Sequence, residues 1–396
     1  MYCTRKIEDD IIWVGADNRR LALFEAVYSV PRGMAYNSYL ILDEKTALID
    51  TVDRAVTDVF LENVDATLGA RSLDYLVIQH MEPDHSATLS DVLVRHPECT
   101  VVCNRKMYDM ILAFKNIEVR AMIVVDGDVL TLGKHSLTFI SAPMVHWPEV
   151  TVSYDSASGT LFSADAFGVF GALNGALFAD EVDFERDFLD EARRYYANIV
   201  GKYGPQVKRL LDKLSTLNIK RVCPLHGFVW RENIDYYVNK YMHWATYEPE
   251  ERGVVIAYAS VYGNTENVAN VLACRLCDAG VRCVMYDVSV TEHSHVIAEC
   301  FKYSHLVFAS ITYNGGVFVN MENLLRDLAA HSLKGRKIAL IENGSWSASA
   351  AGHMREILST LGDTEFISED VTFKSAVRTD TFPVLNNLID AIVGSL

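Results

Sequence analysis

Residues 75–85 read Tyr-Leu-Val-Ile-Gln-His-Met-Glu-Pro-Asp-His. A stretch with strand character, Tyr75 to Gln79, runs straight into His80, Glu82, Asp84 and His85. All four side chains carry lone pairs that bind cations, and no packing requirement explains that density at a strand end. The stretch poses a metal site, so the fold has to bring further ligands to it.

The other polar residues at strand ends in the first part of the chain are few. His146 follows the apolar run 137–145, Asp165 closes Thr-Leu-Phe-Ser-Ala-Asp (160–165), and His226 follows Arg-Val-Cys-Pro-Leu (221–225). With the first four they make seven donors on loops that leave strands, where a rigid sheet holds ligand tips in place. Four imidazoles and three carboxylates can give two ions about three terminal ligands each, with one carboxylate shared. Three negative charges nearly balance two divalent ions. Imidazole with carboxylate suits iron, zinc or manganese, and the lack of a cysteine ligand argues against an iron–sulfur or soft-metal site. Each residue alone has a plainer reading. A lone strand-end His is usually hydrogen-bonded at the surface, and Asp84 or Ser86 could cap a helix over 87–96. Those readings leave the joint occurrence of seven donors unexplained.

A chain of 396 residues suggests two domains, and half of its residues are hydrophobic, enough for sizeable cores. A formal charge of −16 argues against nucleic acid or an anionic membrane as partner. The start, Met-Tyr-Cys-Thr-Arg-Lys, lacks the pattern of a signal peptide, and no run reaches the roughly 18 apolar residues of a membrane span. Eight cysteines without a disulfide pattern favour a reducing cytoplasm. Cys274 and Cys277 form a CxxC inside a helical apolar pattern and read as helix residues, as Cys99 and Cys103 read as strand neighbours.

The rhythm of the chain changes once. Up to Tyr247, short strands (46–52, 75–79, 100–103, 137–143, 151–155, 160–165) alternate with turns and a few amphipathic helices. Glu-Pro-Glu-Glu-Arg-Gly (248–253) reads as a linker, placing domains at 1–249 and 253–396. Beyond it, strands over 254–260, 281–287, 305–313, 337–343 and 365–373 alternate with helices, the pattern of a doubly wound, five-stranded parallel sheet.

Three loops at strand ends of this second domain form a candidate cradle. The first is Ser260, Val261, Tyr262, Gly263, Asn264 and Thr265, where hydroxyls and backbone N–H groups at a helix start attract an anion. It has the shape of the flavodoxin phosphate loop, with Tyr262 where short flavodoxins usually carry Thr. The second is Thr312, Tyr313, Asn314, Gly315 and Gly316, and the third is Asn343, Gly344, Ser345 and Trp346. Glycines let backbone approach a planar ring, and Tyr313 or Trp346 can stack on it. Taken singly, Trp346 could be core packing and the glycines turn formers. Together the loops specify a flavin mononucleotide, FMN, since no second nucleotide-binding unit is visible.

His80-x-Glu82-x-Asp84-His85 followed by His146, Asp165 and His226 resembles the metal pattern of the metallo-β-lactamase fold, with Glu in place of its second His. That replacement, with a flavodoxin-like domain in the same chain, resembles the flavodiiron proteins over essentially the whole sequence. The resemblance implies an α/β architecture, an N-terminal metallo-β-lactamase-like αββα sandwich followed by the flavodoxin-like sheet. It implies one iron on His80, Glu82 and His146 and another on Asp84, His85 and His226, with Asp165 bridging. It implies reduction of O2 to water, of NO to N2O, or both, fed by FMN, as gas detoxification in an anaerobe. A head-to-tail homodimer, or a dimer of such dimers, would bring the FMN of one subunit beside the irons of the other. The sequence ends at Leu396 without a rubredoxin-like CxxC pair, so the expected donor is a separate rubredoxin-like protein or a reduced deazaflavin. The competing reading is a dinuclear zinc hydrolase with a flavodoxin-like sensor domain. Glu25, Trp147 and Tyr195 are candidates for the pocket above the irons.

Overall fold

The computed structural model describes residues 2–396, which divide into two compact units. One comprises residues up to Tyr196 with Pro205–Met242, the other Ala197–Gly204 with His243–Leu396. The segment read as a linker, 248–253, passes directly into a strand, Glu251–Ala259. Its polar beginning is held there because Glu251 pairs with Tyr303 in the sheet register and forms ion pairs with Arg282 and Lys302.

In the first unit the apolar runs build two mixed sheets. The larger has seven strands in the spatial order Arg5–Lys6, Ile11–Trp13, Tyr39–Leu42, Thr46–Ile49, Tyr75–Val77, Thr100–Cys103 and Ala121–Ile123. Its first three pairings are antiparallel and its last three parallel. Parallel neighbours need long crossovers, and helices such as Thr57–Leu68 and Arg105–Lys115 supply them. The smaller sheet runs Val129–Thr131, Ser136–Ser141, Thr151–Asp155, Thr160–Phe162 and Arg221–Cys223. Thr46–Ile49, Thr151–Asp155 and Thr160–Phe162 are buried on both faces, so these strands are covered on both sides. Tyr39 of one sheet meets Phe162 of the other, and the Gln79 amide donates to Ser153 Oγ and to the Phe162 carbonyl.

Several strands are shorter than the sequence suggests, for a local reason. Asp50 (φ 54°) and Ala164 (φ 51°) adopt left-handed backbone and end the strands at Ile49 and Phe162. The residues released after Phe162 form the loop that carries Asp165, while Asp50 Oδ1 accepts the Gln79 N–H at 2.8 Å and so holds the backbone just before His80, which follows the strand Tyr75–Val77. The helix expected at 87–96 forms as Leu89–Arg95, and a separate short helix, Pro83–Ser86, precedes it. Pro83 favours the first helical position, so Asp84 and Ser86 lie inside the short helix and do not cap the next one. Ser86 instead donates to the Met81 carbonyl at 2.9 Å.

His135 ties a corner of the smaller sheet to the N-terminal strands. Its fully buried ring lies 2.7 Å from Asp155 Oδ2 and 3.0 Å from Asp10 Oδ2. The hydrogen bond to Asp155 raises His135 to about 9. Burial pushes Asp155 up, but the His135 and Ser158 hydrogen bonds override it and bring the carboxyl down to about 2. A raised imidazole stabilises fully below its unfolded value of about 6.5 and loses that contribution as pH rises through 9. A lowered carboxyl acts in the opposite sense, losing its contribution as pH falls towards 2. His135→Ala is therefore expected to cost about 3 kcal/mol near pH 6.5, with the deficit narrowing as pH rises towards 9, as measured by denaturant unfolding.

The second unit is a parallel sheet in the order Cys283–Asp287, Glu251–Ala259, Tyr303–Tyr313, Lys337–Asn343, with a fifth position shared by two short strands. The run expected as one strand over 365–373 forms as Glu365–Phe366 and Val371–Phe373, both parallel to Lys337–Asn343. Asp370, in the break between them, pairs with Arg355. Val254, Ile256, Val307 and Ile341 project to one face, where helices Asn264–Asp278 and Phe382–Ser395 bury Leu272, Leu388 and Ile392 against them. The alternate residues Val255, Leu306, Phe308 and Leu340 are equally buried. Both faces are thus covered. Successive connections run in opposite directions from Glu251–Ala259, which opens a crevice at the carboxyl ends of that strand and of Tyr303–Tyr313.

Candidate functional site

The seven donors nominated by the sequence come together in the first unit as two adjoining groups. His80, Glu82, His146 and Asp165 form one, and Asp84, His85 and His226 the other. Glu82 Oε2 lies 3.1 Å from both His80 Nε2 and His146 Nε2. Asp84 Oδ2 lies 3.3 Å from His85 Nε2 and 3.2 Å from His226 Nε2, and the two ring nitrogens are 3.0 Å apart. Asp165 faces both groups: Oδ2 is 3.2 Å from His146 Nε2, and Oδ1 is 3.1 Å from His85 Nε2. Bonds of roughly 2.1 Å to one ion place neighbouring ligand atoms about 3.0–3.4 Å apart, so these separations suit two cations with a shared carboxylate.

The unpaired atoms point to the same chemistry. Both Asp84 carboxylate oxygens and Asp165 Oδ1 are buried without a hydrogen-bond partner among the described residues. Leaving buried carboxylate oxygens unsatisfied is costly unless a cation completes them. Burial alone would lower the imidazoles, but Asp165 and Glu82 override it and hold His146 at about 9, while Asp84 and Asp165 do the same for His85. Burial also pushes Glu82 and Asp165 up, yet the facing imidazoles bring both below the usual carboxylate range. The site stabilises positive charge among its carboxylates. Four imidazoles and three carboxylates, with no thiolate, fit a pair of iron ions.

Around the donors stands a mostly aromatic wall. Phe24, Tyr36 and Tyr195 approach the His226 ring at 5.4, 5.6 and 5.6 Å, and Trp147 stands edge-on to His80 at 5.3 Å. The Tyr195 hydroxyl is buried and has no partner among the described residues. Glu25, at φ 49° on a hairpin turn, hydrogen-bonds its carboxyl to Glu82. Although the residue is exposed, partial desolvation of its carboxyl and the facing Glu82 charge raise Glu25 to about 8. Thus Glu25, Trp147 and Tyr195 all adjoin the donors, and Phe24 and Tyr36, absent from the sequence reading, join them.

His226 is aimed by its surroundings. Its Nδ1 donates to the Ala35 carbonyl at 2.8 Å, which turns Nε2 inward. Gly227 next to it has φ 77°, and a Cβ there would lie 2.7 Å from Val169 Cβ. Gly227→Ala is expected to displace His226 and to cut bound iron to about one per chain, read by metal analysis, at a cost of about 1–3 kcal/mol in stability.

In the second unit, a cavity of about 490 Å³ occupies the crevice. Ser260, Val261, Tyr262, Asn264 and Thr265 line it from the first loop, Thr312, Tyr313, Asn314 and Gly315 from the second, and Asn343, Gly344, Ser345 and Trp346 from the third. Ile311, Ser347, Ser349 and Ser375, which the sequence did not nominate, complete the lining. Gly263 and Gly316 stay outside it. Gly263 donates its N–H to Ser260 Oγ and precedes the helix Asn264–Asp278, while Gly316 pairs with Tyr313 in a tight hairpin and faces a neighbouring groove. Two features fit a flavin phosphate and ring. Thr265 Oγ1, in the first helical turn, is fully buried and has no partner among the described residues. Trp346 is 91 % exposed and therefore serves no core, leaving its face available for stacking.

A pair of clustered metal donors on a two-sheet unit, joined to a flavodoxin-like sheet with an open phosphate loop, defines a two-cofactor redox class. The family model described as ODP family beta lactamase matches residues 34–227, and that of flavodoxin matches 256–375. A nitric oxide reductase of Moorella thermoacetica is 34% identical over 326 residues, covering 81% of each chain. An anaerobic nitric oxide reductase flavorubredoxin of Vibrio vulnificus is 30% identical over 372 residues, 92% of this chain and 75% of the relative. Among solved structures, the rubredoxin oxygen:oxidoreductase of Desulfovibrio gigas superposes with a TM-score of 0.93 at 27% identity, covering 99% of this chain and 98% of the other. The chain belongs to the flavodiiron proteins, FMN-dependent oxidoreductases with a diiron site.

Proposed function

We propose that this chain reduces NO to N2O and O2 to water, with His80, Glu82 and His146 holding one iron, Asp84, His85 and His226 the other, and Asp165 shared. The observation that carries this reading is the orientation of Asp165, one oxygen towards each imidazole group. When bound, two ferrous ions and reduced FMN supply two electrons each, enough to take O2 with four protons to two waters, or two NO with two protons to N2O and water. The chain's own part is to hold the donors on strand ends, to exclude bulk water with Phe24, Tyr36, Trp147 and Tyr195, and to seat FMN against Thr265 and Trp346. The corresponding functional domains are 1–249 for the metal and 253–396 for FMN. No observation favours the zinc hydrolase reading. Anaerobic stopped-flow reoxidation of the fully reduced protein tests the proposal, with rapid reoxidation expected by NO and by O2. Stoichiometric zinc, ester cleavage and no reaction with either gas would overturn it.

Electrons enter from an external donor, a rubredoxin-like protein or a reduced deazaflavin coenzyme, distinguished by their rates of FMN reduction. The assembly is a head-to-tail homodimer, alone or as a dimer of dimers. Support comes from the rim of the FMN cavity, where Tyr262 is 94 % and Trp346 91 % exposed, aromatic surface suited to a partner subunit. Light scattering of the active protein should give at least twice the chain mass, and an active, FMN-loaded monomer would remove this part. All eight cysteines are free thiols, which suits a cytoplasmic location. No helix among the described residues is long and apolar enough to cross a membrane.

A further inference from the structure

We propose that Glu149 is a positioning residue for His80 and that its charge makes the His80–Glu82–His146 position the tighter and more reducing of the two iron positions. The Glu149 side chain is fully buried. Its Oε1 lies 2.8 Å from His80 Nδ1 and accepts the Met81 N–H at 3.1 Å. One carboxylate oxygen therefore holds both the ring of the first donor and the backbone just behind it. Glu149 Oε2 is buried and has no hydrogen-bond partner among the described residues, so Oε1, with the His80 ring and the Met81 N–H, carries the compensation of this carboxylate towards the first donor.

The scaffold fixes Glu149 in turn. Asn104 Nδ2 donates to the Glu149 carbonyl at 2.6 Å and to Thr151 Oγ1 at 3.0 Å, while Asn104 Oδ1 caps the helix Arg105–Lys115. Thr151 N–H donates to the Gln79 carbonyl at 3.1 Å, next to His80 in sequence. With Nδ1–H directed to Glu149, the lone pair of His80 sits on Nε2, which faces Glu82 Oε2 at 3.1 Å and Asp165 Oδ2 at 3.5 Å. Imidazole bonded to a carboxylate on its far side is a stronger donor than imidazole bonded to a neutral group.

The other group has no equivalent. His226 Nδ1 donates to a neutral carbonyl, that of Ala35, and His85 Nδ1 has no partner among the described residues. A carboxylate hydrogen-bonded to the far side of a ring thus stands behind His80 and behind neither His85 nor His226, whereas buried Asp50 lies near both His85 and His80 and does not distinguish the positions. The Glu149 charge favours the more highly charged ion at the His80 position, which strengthens binding and lowers the reduction potential of that ion relative to its neighbour.

The inference rests on the ligand reading given above. Holoprotein of the wild type, Glu149→Ala and Glu149→Gln is titrated with a ferrous chelator and, separately, followed by EPR during redox titration. FMN content and melting temperature report on folding. Glu149→Ala is expected to release one of its two irons at roughly 10–100-fold lower chelator concentration. Glu149→Gln keeps an oxygen for Nδ1–H and Met81 N–H, so it should retain iron better than Glu149→Ala. Having lost the charge, it should still show a raised potential and a smaller mixed-valence signal. Wild-type potentials in Glu149→Gln, or loss of both irons together in Glu149→Ala, would overturn the inference. His80→Asn separates the two levels: if that variant keeps both irons, the ligand reading itself fails, whereas its failure to bind iron leaves the Glu149 result to stand or fall alone.

Discussion

Asp165→Ala is expected to reduce bound iron from about two per chain to near none while FMN stays bound. Asp165 is the one donor that faces both groups, with Oδ2 at 3.2 Å from His146 Nε2 and Oδ1 at 3.1 Å from His85 Nε2. Its removal takes a ligand from each position and one negative charge from the space between them. Partners that merely orient a ligand are worth about 10–100-fold in metal affinity, so loss of a shared ligand should exceed that range. Without the carboxylate, His85 and His226 also face one another at 3.0 Å with only Asp84 between them and repulsion. Reoxidation of the reduced protein by NO and O2 should slow by on the order of 100-fold or more. Metal analysis and the visible flavin spectrum check the two halves independently. Two irons retained in this variant would mean that the donors do not act as a pair.

The double variant Asn264→Ala, Thr265→Ala should show the reverse. Thr265 Oγ1 is buried and unpartnered in the first turn of a 15-residue helix, beside a cavity that Asn264 also lines. Hydrogen bonds to a charged group are worth about 1.5–3 kcal/mol each, so losing two should weaken FMN binding by roughly 100-fold or more. Iron content should not change, because none of the seven clustered donors belongs to this unit. Thr265→Ser keeps the hydroxyl and should restore most of the affinity. Fluorescence titration of the apoflavin protein measures all three. Wild-type affinity in the double variant would show that the phosphate is held elsewhere.

The metal donors were readable because their chemistry is dense and local. Four of them occupy six positions after one strand, and the rest follow apolar runs whose ends can be seen from composition. Strand lengths were less readable. Asp50 and Ala164 stop their strands through left-handed backbone that no apolar pattern announces. The fifth strand of the second sheet was expected as one run and splits around Asp370. Gly263 and Gly316 looked like parts of the cavity wall; the structure gives Gly263 a hydrogen bond to Ser260 Oγ at a helix start and pairs Gly316 with Tyr313 in a hairpin. Glu149 carried a faint signal, an acidic residue three positions after His146 at the entrance to an apolar strand. Nothing local showed that it would reach His80, 69 positions earlier in the chain.

By itself, then, the order of residues determined which chemical groups this protein owns, how its strands and helices alternate, and that a metal-binding half precedes a flavin-binding one. Those properties follow from side-chain type and short-range periodicity. Tertiary structure decided which oxygen of Asp165 faces which imidazoles, which carbonyl or carboxylate stands behind each ring, and which aromatic rings close over the donors. Such choices depend on distances between segments far apart in sequence, set when two sheets pack and bury them together.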